Sequence, residues 1–225
     1  MRHILLAVLL LGPAPASSAA SPAWAQTGAQ TAGAQTAGAQ TAVTLTPADQ
    51  GWIDRIQDTL NGITTLKGRF QQIAPDGQRT TGTVWLDRPG RMRFAYDKPS
   101  PLLLVAGGGK LVFTDSALQQ TTDIPLDRTP LGLLLRPSLS LSGDVTVTGF
   151  SHANGLLQVT LVKTASPSEG SLTVVVADGP LLLRGWRVVD AQGRETRIDL
   201  SDLTTGVPMP ASLFDTGAAS AGATR

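Results

Sequence analysis

The chain has 225 residues, no cysteine, two histidines, and 18 basic against 17 acidic side chains. Without cysteine there is no disulfide framework, no lipidated anchor on the chain itself and no Cys/His zinc site. A charge balance this close to zero leaves no electrostatic footprint for nucleic acid and no polybasic stretch to hold an anionic membrane.

Residues 1–25 read as a signal peptide. Arg2 and His3 form a basic head, Ile4 to Leu11 is an unbroken apolar run, and Ala23-Trp24-Ala25 supplies a cleavage site before Gln26. The run is too short to span a bilayer as a helix. Cleavage removes one arginine and no acid, leaving 17 basic side chains against 17 acidic ones. Residues 26–45 are expected to be a flexible linker. Within them Gly-Ala-Gln-Thr-Ala repeats three times, from Gly28 to Ala42, with no large apolar or charged residue to offset the entropy of ordering. What remains, residues 46–216, is enough for one domain with a real core, and 217–225 is expected to be a disordered tail.

Thr46-Pro47-Ala48-Asp49 predicts a helix start, with Thr46 as cap, Pro47 in the first turn and Asp49 at the positive end of the dipole. Trp52, Ile53, Ile56, Leu60 and Ile63 then form one apolar stripe, and the helix is expected to end near 62–65. From Leu66 the period becomes two. Strands are predicted around Phe70, over 80–86, over 91–96 with Met92, Phe94 and Tyr96 on one face, over 101–106 and over 110–114, with a further short one over 118–122. Pro75-Asp76-Gly77, Arg88-Pro89-Gly90 and Gly107-Gly108-Gly109 supply the turns. Thr129-Pro130 opens a short helix, 131–136, that Pro137 stops. Strands resume over 145–150, 156–163, 172–177, 181–189 and 194–200. Roughly ten short strands with tight turns mean a sandwich or a barrel, on which two helices must cover something.

Catalytic chemistry is not expected. His152 stands beside the Asn154-Gly155 turn, where an exposed turn residue is the plain reading, and no G-x-S-x-G elbow accompanies it. No clustered ligands for a metal occur in the sequence, and no cofactor motif: Gly109-Lys110 lacks the first glycine and the Ser/Thr of a P-loop. Glu169 and Glu195 are the only glutamates, and the acids are scattered singly.

The passage from Leu86 to Pro99, Leu-Asp-Arg-Pro-Gly-Arg-Met-Arg-Phe-Ala-Tyr-Asp-Lys-Pro, resembles the LolA family of periplasmic lipoprotein carriers. The order of elements around it is similar too: Leu66-Lys67-Gly68-Arg69-Phe70-Gln71-Gln72 after the helix, Gly82, Leu104 to Lys110, Gln119-Gln120-Thr121, Thr129-Pro130-Leu131, Gly193-Arg194-Glu195-Thr196 and Leu213-Phe214. The likeness covers about residues 48–215 and rests on number, order and spacing of motifs. It implies a mainly β fold with a helical lid: an incomplete antiparallel barrel of about ten to eleven strands around a hydrophobic cavity covered by short helices. It further implies a periplasmic, monomeric carrier that takes lipoprotein acyl chains from an inner-membrane ABC transporter and delivers them to an outer-membrane receptor. A binding protein for another lipid or glycolipid on the same fold is the alternative. Arg88 matches the family's functional arginine, which bonds to lid backbone and keeps the empty form closed. Leu60, Leu131 and Leu134 fall at matching lid positions. Arg91, Met92 and Phe94 depart from the family's usual residues, and the repeat linker is an addition.

Physically, Arg88 is either a solvated turn residue or, with five fixed donors, a clasp for several carbonyls at once. Met92, Phe94 and Tyr96 are core packing or cavity lining. Leu60, Leu131 and Leu134 are plain core or lid. Arg91 and Arg93 are expected to face solvent, or to meet cargo head groups or a partner. Deleting residues 26–42 is expected to change neither melting temperature nor cargo binding, since the segment has nothing to bury; a large drop in either quantity would mean that the linker docks.

Overall fold

A computed structural model of the protein describes residues 42–217. The expected signal peptide, the expected linker as far as residue 41 and all but the first residue of the expected tail lie outside the described residues.

Helix α1 (Pro47–Gly62) starts where the sequence places it. The Asp49 N–H donates to Thr46 Oγ1 and the Thr46 N–H donates back to the Asp49 carboxylate, closing a capping box. Then come β1 (Thr65–Ile73), β2 (Arg79–Asp87), β3 (Arg91–Tyr96), β4 (Leu102–Gly107), β5 (Lys110–Asp115) and β6 (Gln120–Pro125). A 3₁₀ turn (Leu126–Arg128) and the one-turn helix α2 (Leu131–Leu134) interrupt the strands. The rest is β7 (Val145–Ala153), β8 (Leu156–Lys163), β9 (Gly170–Asp178), β10 (Leu181–Asp190), β11 (Glu195–Thr205) and a final 3₁₀ turn (Ala211–Phe214). Between β4 and β5, Gly108 and Gly109 both hold positive φ (58° and 77°), the backbone a two-residue hairpin turn demands.

All eleven strands form one antiparallel sheet in the order β6-β5-β4-β3-β2-β1-β11-β10-β9-β8-β7. The first strand therefore lies in the middle, paired with the last, with Phe70 opposite Leu200. The sheet is open, because β6 and β7 are its two edges and do not pair. It nevertheless wraps one core. The main cluster takes inward residues from every β-hairpin together with Ile53, Ile56 and Leu60 of α1 and the leucines of the α2 region. At its centre the Phe70 ring meets Phe94 (4.7 Å) and Tyr96 (5.2 Å) edge-on, and Phe94 meets Trp186 (6.1 Å).

Four expectations need correction. The linker ends sooner than residue 45: the Val43 N–H donates to Val147 O (3.0 Å), and Val43 and Leu45 pack on the main core. The strand expected over 118–122 runs over Gln120–Pro125 instead, because the Asp115 carboxylate accepts from the amides of Ala117 and Leu118 and makes those residues a turn. The second helix stops at Leu134, not Arg136. Pro137 disfavours helical backbone at the residue before it, and the buried leucines at 133, 134, 135, 139 and 141 follow a wrapping path, not one helical face. Finally, Arg91 and Arg93 do not simply face solvent. Arg93 Nη1 donates to Leu213 O (3.1 Å) and the Arg91 guanidinium lies over the Phe214 ring (5.7 Å).

These two arginines hold a C-terminal strap against the outer face of the sheet. There Phe214, with Val105 and Val112, forms a second small core flanked by Trp85, Leu103, Met209 and Leu213. Strap and sheet approach so closely at Gly107 that a Cβ there would stand 2.6 Å from Phe214 O. Phe214→Ala is expected to cost about 3 kcal/mol, lowering the melting temperature by about 6–12 °C. Thermal unfolding followed by circular dichroism measures it; an unchanged midpoint would mean that the strap contributes nothing.

Candidate functional site

The β2–β3 turn carries Arg88 to the place where the two helical regions meet. Its backbone N–H donates to Thr64 O (2.8 Å), fixing the turn beneath the end of α1. From there the guanidinium fans out. Nη1 donates to Leu60 O and, at 3.4 Å, to Ile63 O. Nη2 reaches Asn61 Oδ1 at 3.4 Å, and Nε donates to Arg136 O at 3.0 Å. One side chain thus ties the C-terminus of α1 to the chain that follows α2. Leu60 O also accepts the Ile63 N–H (3.2 Å), and Arg88 adds a charged donor at a helix end where carbonyls run short of partners. Burial pulls its guanidinium below the ordinary value, although an arginine stays protonated regardless.

Neighbours extend the clasp. Asn61 bonds the segment beyond α2 in both directions, accepting from the Leu139 N–H (2.8 Å) and donating to Leu139 O (3.0 Å). One turn earlier, Gln57 Oε1 accepts from the Leu141 N–H (2.9 Å). The Gly90 N–H donates to Leu135 O (2.8 Å). Sequence reasoning singled out neither Asn61 nor Gln57, yet a signal existed: two amides four residues apart sit together on one flank of the apolar stripe. The partners, some eighty residues away, were not visible.

Beneath this polar ring the packing is mainly apolar. Leu60, Leu131 and Leu134 all enter the main core, as do Met92 and Phe94, which are 1% and 2% exposed. Tyr96 is packed against the same core, its hydroxyl donating to Gln72 Oε1 (2.7 Å), and burial pushes its phenol well above the ordinary value. The candidate residues therefore come together, with Arg88 at the rim and the others below it. In this state the interior is filled by the cover's own leucines. His152 stands apart. It lies on β7, exposed, with Nε2 on Asp178 Oδ2 (2.8 Å) and its ring edge-on to Trp52 of α1 (4.9 Å). Among the described residues no group of three or more His, Cys, Asp or Glu is placed to hold a metal, and no helix is long and apolar enough to cross a membrane.

Comparison with known proteins points one way. A family model described as outer membrane lipoprotein carrier protein LolA matches residues 61–216. A protein from Methylococcus capsulatus named outer-membrane lipoprotein carrier protein is 30% identical over 169 residues, covering 71% of this chain and 80% of its own. One of the same name from Pseudomonas fluorescens is 31% identical over 179 residues, covering 74% and 84%. Among solved structures, a LolA superfamily protein from Nitrosomonas europaea superposes with a TM-score of 0.41 at 11% identity, over 73% of this chain and 98% of its own.

Arg88→Leu is expected to leave the sheet folded and the cover loose. The lost bonds, from a charged donor to three carbonyls, weaken local closure by about 2–3 kcal/mol, so amide exchange at residues 131–141 should accelerate roughly 30- to 150-fold while β1 and β2 are unchanged. Arg88→Lys should recover only part, since an ammonium cannot fork. Exchange in 131–141 that matches the wild type would show that Arg88 does not hold the cover.

Proposed function

This chain belongs to the LolA family of outer membrane lipoprotein carriers, and we propose that it carries lipoproteins by letting their acyl chains replace the leucines of a lid held by Arg88. It is a carrier rather than an enzyme, and it works in the periplasm, to which the segment 1–25 directs it as a cleaved signal peptide. The reading of a carrier for some other lipid is not favoured, since the matching relatives are named for lipoproteins.

The observation that carries the mechanism is the Arg88 fork spanning Leu60, Ile63 and Arg136 above a mainly apolar interior. A carrier has to remove acyl chains from water and give them up again. Six leucines of the lid region, Leu131, Leu133, Leu134, Leu135, Leu139 and Leu141, are buried in the closed form. Exposing them would cost roughly 9–18 kcal/mol as an upper estimate, at about 1.5–3 kcal/mol each. One acyl chain of about fifteen methylenes gains about 12 kcal/mol on leaving water. The two quantities are comparable, so lid and cargo compete for the same apolar lining and neither binds irreversibly. Met92, Phe94, Tyr96 and Leu60 line the space, and Leu131 and Leu134 move. Cargo arrives from an inner-membrane ABC transporter and leaves to an outer-membrane receptor.

The test is release of lipoproteins from spheroplasts by added protein. Wild type is expected to bring lipoproteins into the soluble fraction as a complex. Arg88→Leu is expected to form that complex but to hand it on poorly to outer membranes, because a lid that closes weakly no longer displaces its cargo. No release by the wild-type protein would remove the carrier reading; release and transfer by Arg88→Leu at wild-type levels would remove the role of Arg88 alone.

A further inference from the structure

A cleft of about 590 Å³ opens at the lid, between the β2–β3 and β4–β5 turns, the turn after β6 and the end of β8. Its apolar lining is Leu126, Leu133 and Leu135, all three continuous with the main core. Its polar lining includes two cationic residues, Arg136 and Lys163, and Asp127. The size suits one compact head group and a few carbons of its substituents, not several long chains.

The charges of the cleft are matched. Arg136 Nη1 is on Asp144 Oδ2 at 2.7 Å and Lys163 Nζ is on Glu169 Oε2 at 2.7 Å. Lys163 Nζ also donates to the backbone carbonyl of Asp127, which ties the end of β8 to the turn after β6. A guanidinium has five N–H donors and an ammonium three, so both cations keep donors beyond these bonds. An anion brought here would find each positive charge already neutralised. An uncharged group rich in acceptors would find donors and no repulsion.

We infer that this cleft, in the closed form, first receives the ester and amide carbonyls of the cargo's lipid anchor before the lid residues Leu133 and Leu135 give way, and that its matched charges let it reject the phosphate of ordinary phospholipids. The inference rests on the carrier reading and deepens it. An N-acylated diacylglyceryl-cysteine head is uncharged and offers acceptors at its ester and amide carbonyls. A phospholipid has similar acyl chains and a phosphate besides. The apolar interior has no means of telling the two apart, whereas Lys163 and Arg136 with their paired carboxylates do.

The probes are a water-soluble peptide whose N-terminal cysteine is N-hexanoylated and bears a dihexanoylglyceryl thioether, and dihexanoyl-phosphatidylglycerol, each titrated calorimetrically into the full mature protein. The lipopeptide is expected to bind, and about tenfold more weakly to Lys163→Met and to Arg136→Met, the loss of one charged donor. Lys163→Arg, which keeps the donor, should bind as wild type does. Glu169→Gln, which leaves Lys163 unmatched, should bind the phosphatidylglycerol at least about fivefold more tightly than wild type does. Melting temperatures of all variants separate lost binding from lost folding. Lipopeptide affinity unchanged in both Met variants would overturn the inference, as would wild-type protein binding both probes equally. If the short-chain lipopeptide does not bind while long-chain lipoproteins are still released from spheroplasts, the seat is wrong and the carrier reading stands. If neither is handled, the carrier reading falls and the seat with it.

Discussion

A single guanidinium forks across the two helical regions at the point where they meet, above the core they share. α1 and the α2 region are far apart in sequence and share no backbone ladder, and Arg88 bonds carbonyls of both. The interaction is polar, sits at a rim and acts on groups that water can also satisfy. Its strength is therefore limited, as closure of a reusable cover requires. A cover fixed only by interdigitated leucines would have its strength set by apolar area alone. The arginine adds a component that can be broken without changing the interior.

The open sheet makes such a cover necessary. Eleven strands wrap one core, but β6 and β7 leave a gap that backbone pairing does not fill. The chain between them, residues 126–144, fills it with leucines. Barrels that close fully have no edges to protect; this one gives up that protection along one seam. At β6 the edge is blunted by Pro125 and by the Lys110–Asp123 ion pair, and at β7 the docked Val43 covers part of it.

Much of this was legible in the sequence where the determining interactions are local. Thr46 and Asp49 declare the start of α1 because a capping box is written within four residues, and the Gly108-Gly109 turn declares its hairpin because φ is positive at both. Alternation marks most strands for the same reason. Arg88 is different. Its position beside Pro89-Gly90 says only that it lies in a turn, and the resemblance to a family suggested more than the residue could. Asn61 and Gln57 bond residues some eighty positions away, and Arg93 bonds Leu213 at a separation of 120. No local pattern encodes such partners. The α2 region differs for another reason: Thr129-Pro130 and Pro137 bracket a helix over 131–136, but leucines buried all along the segment let the backbone leave the helix after Leu134.

The pairing of β1 with β11 has a consequence for how the molecule is made. A chain is synthesised from its N-terminus, and β1 to β6 can form as successive hairpins while the remainder is still being added. Yet one edge of β1 has no partner until β11 exists, and the outer patch of Trp85, Val105 and Val112 has none until the strap around Phe214 arrives. For most of its synthesis the protein is a half-sheet with an exposed central edge and an uncovered apolar back. Assembly thus waits on β11 and the strap, and a chain cut short before β11 is left open to strand addition from its neighbours. Such a fragment is a greater aggregation hazard than an unfolded one, because its β-edge is already formed.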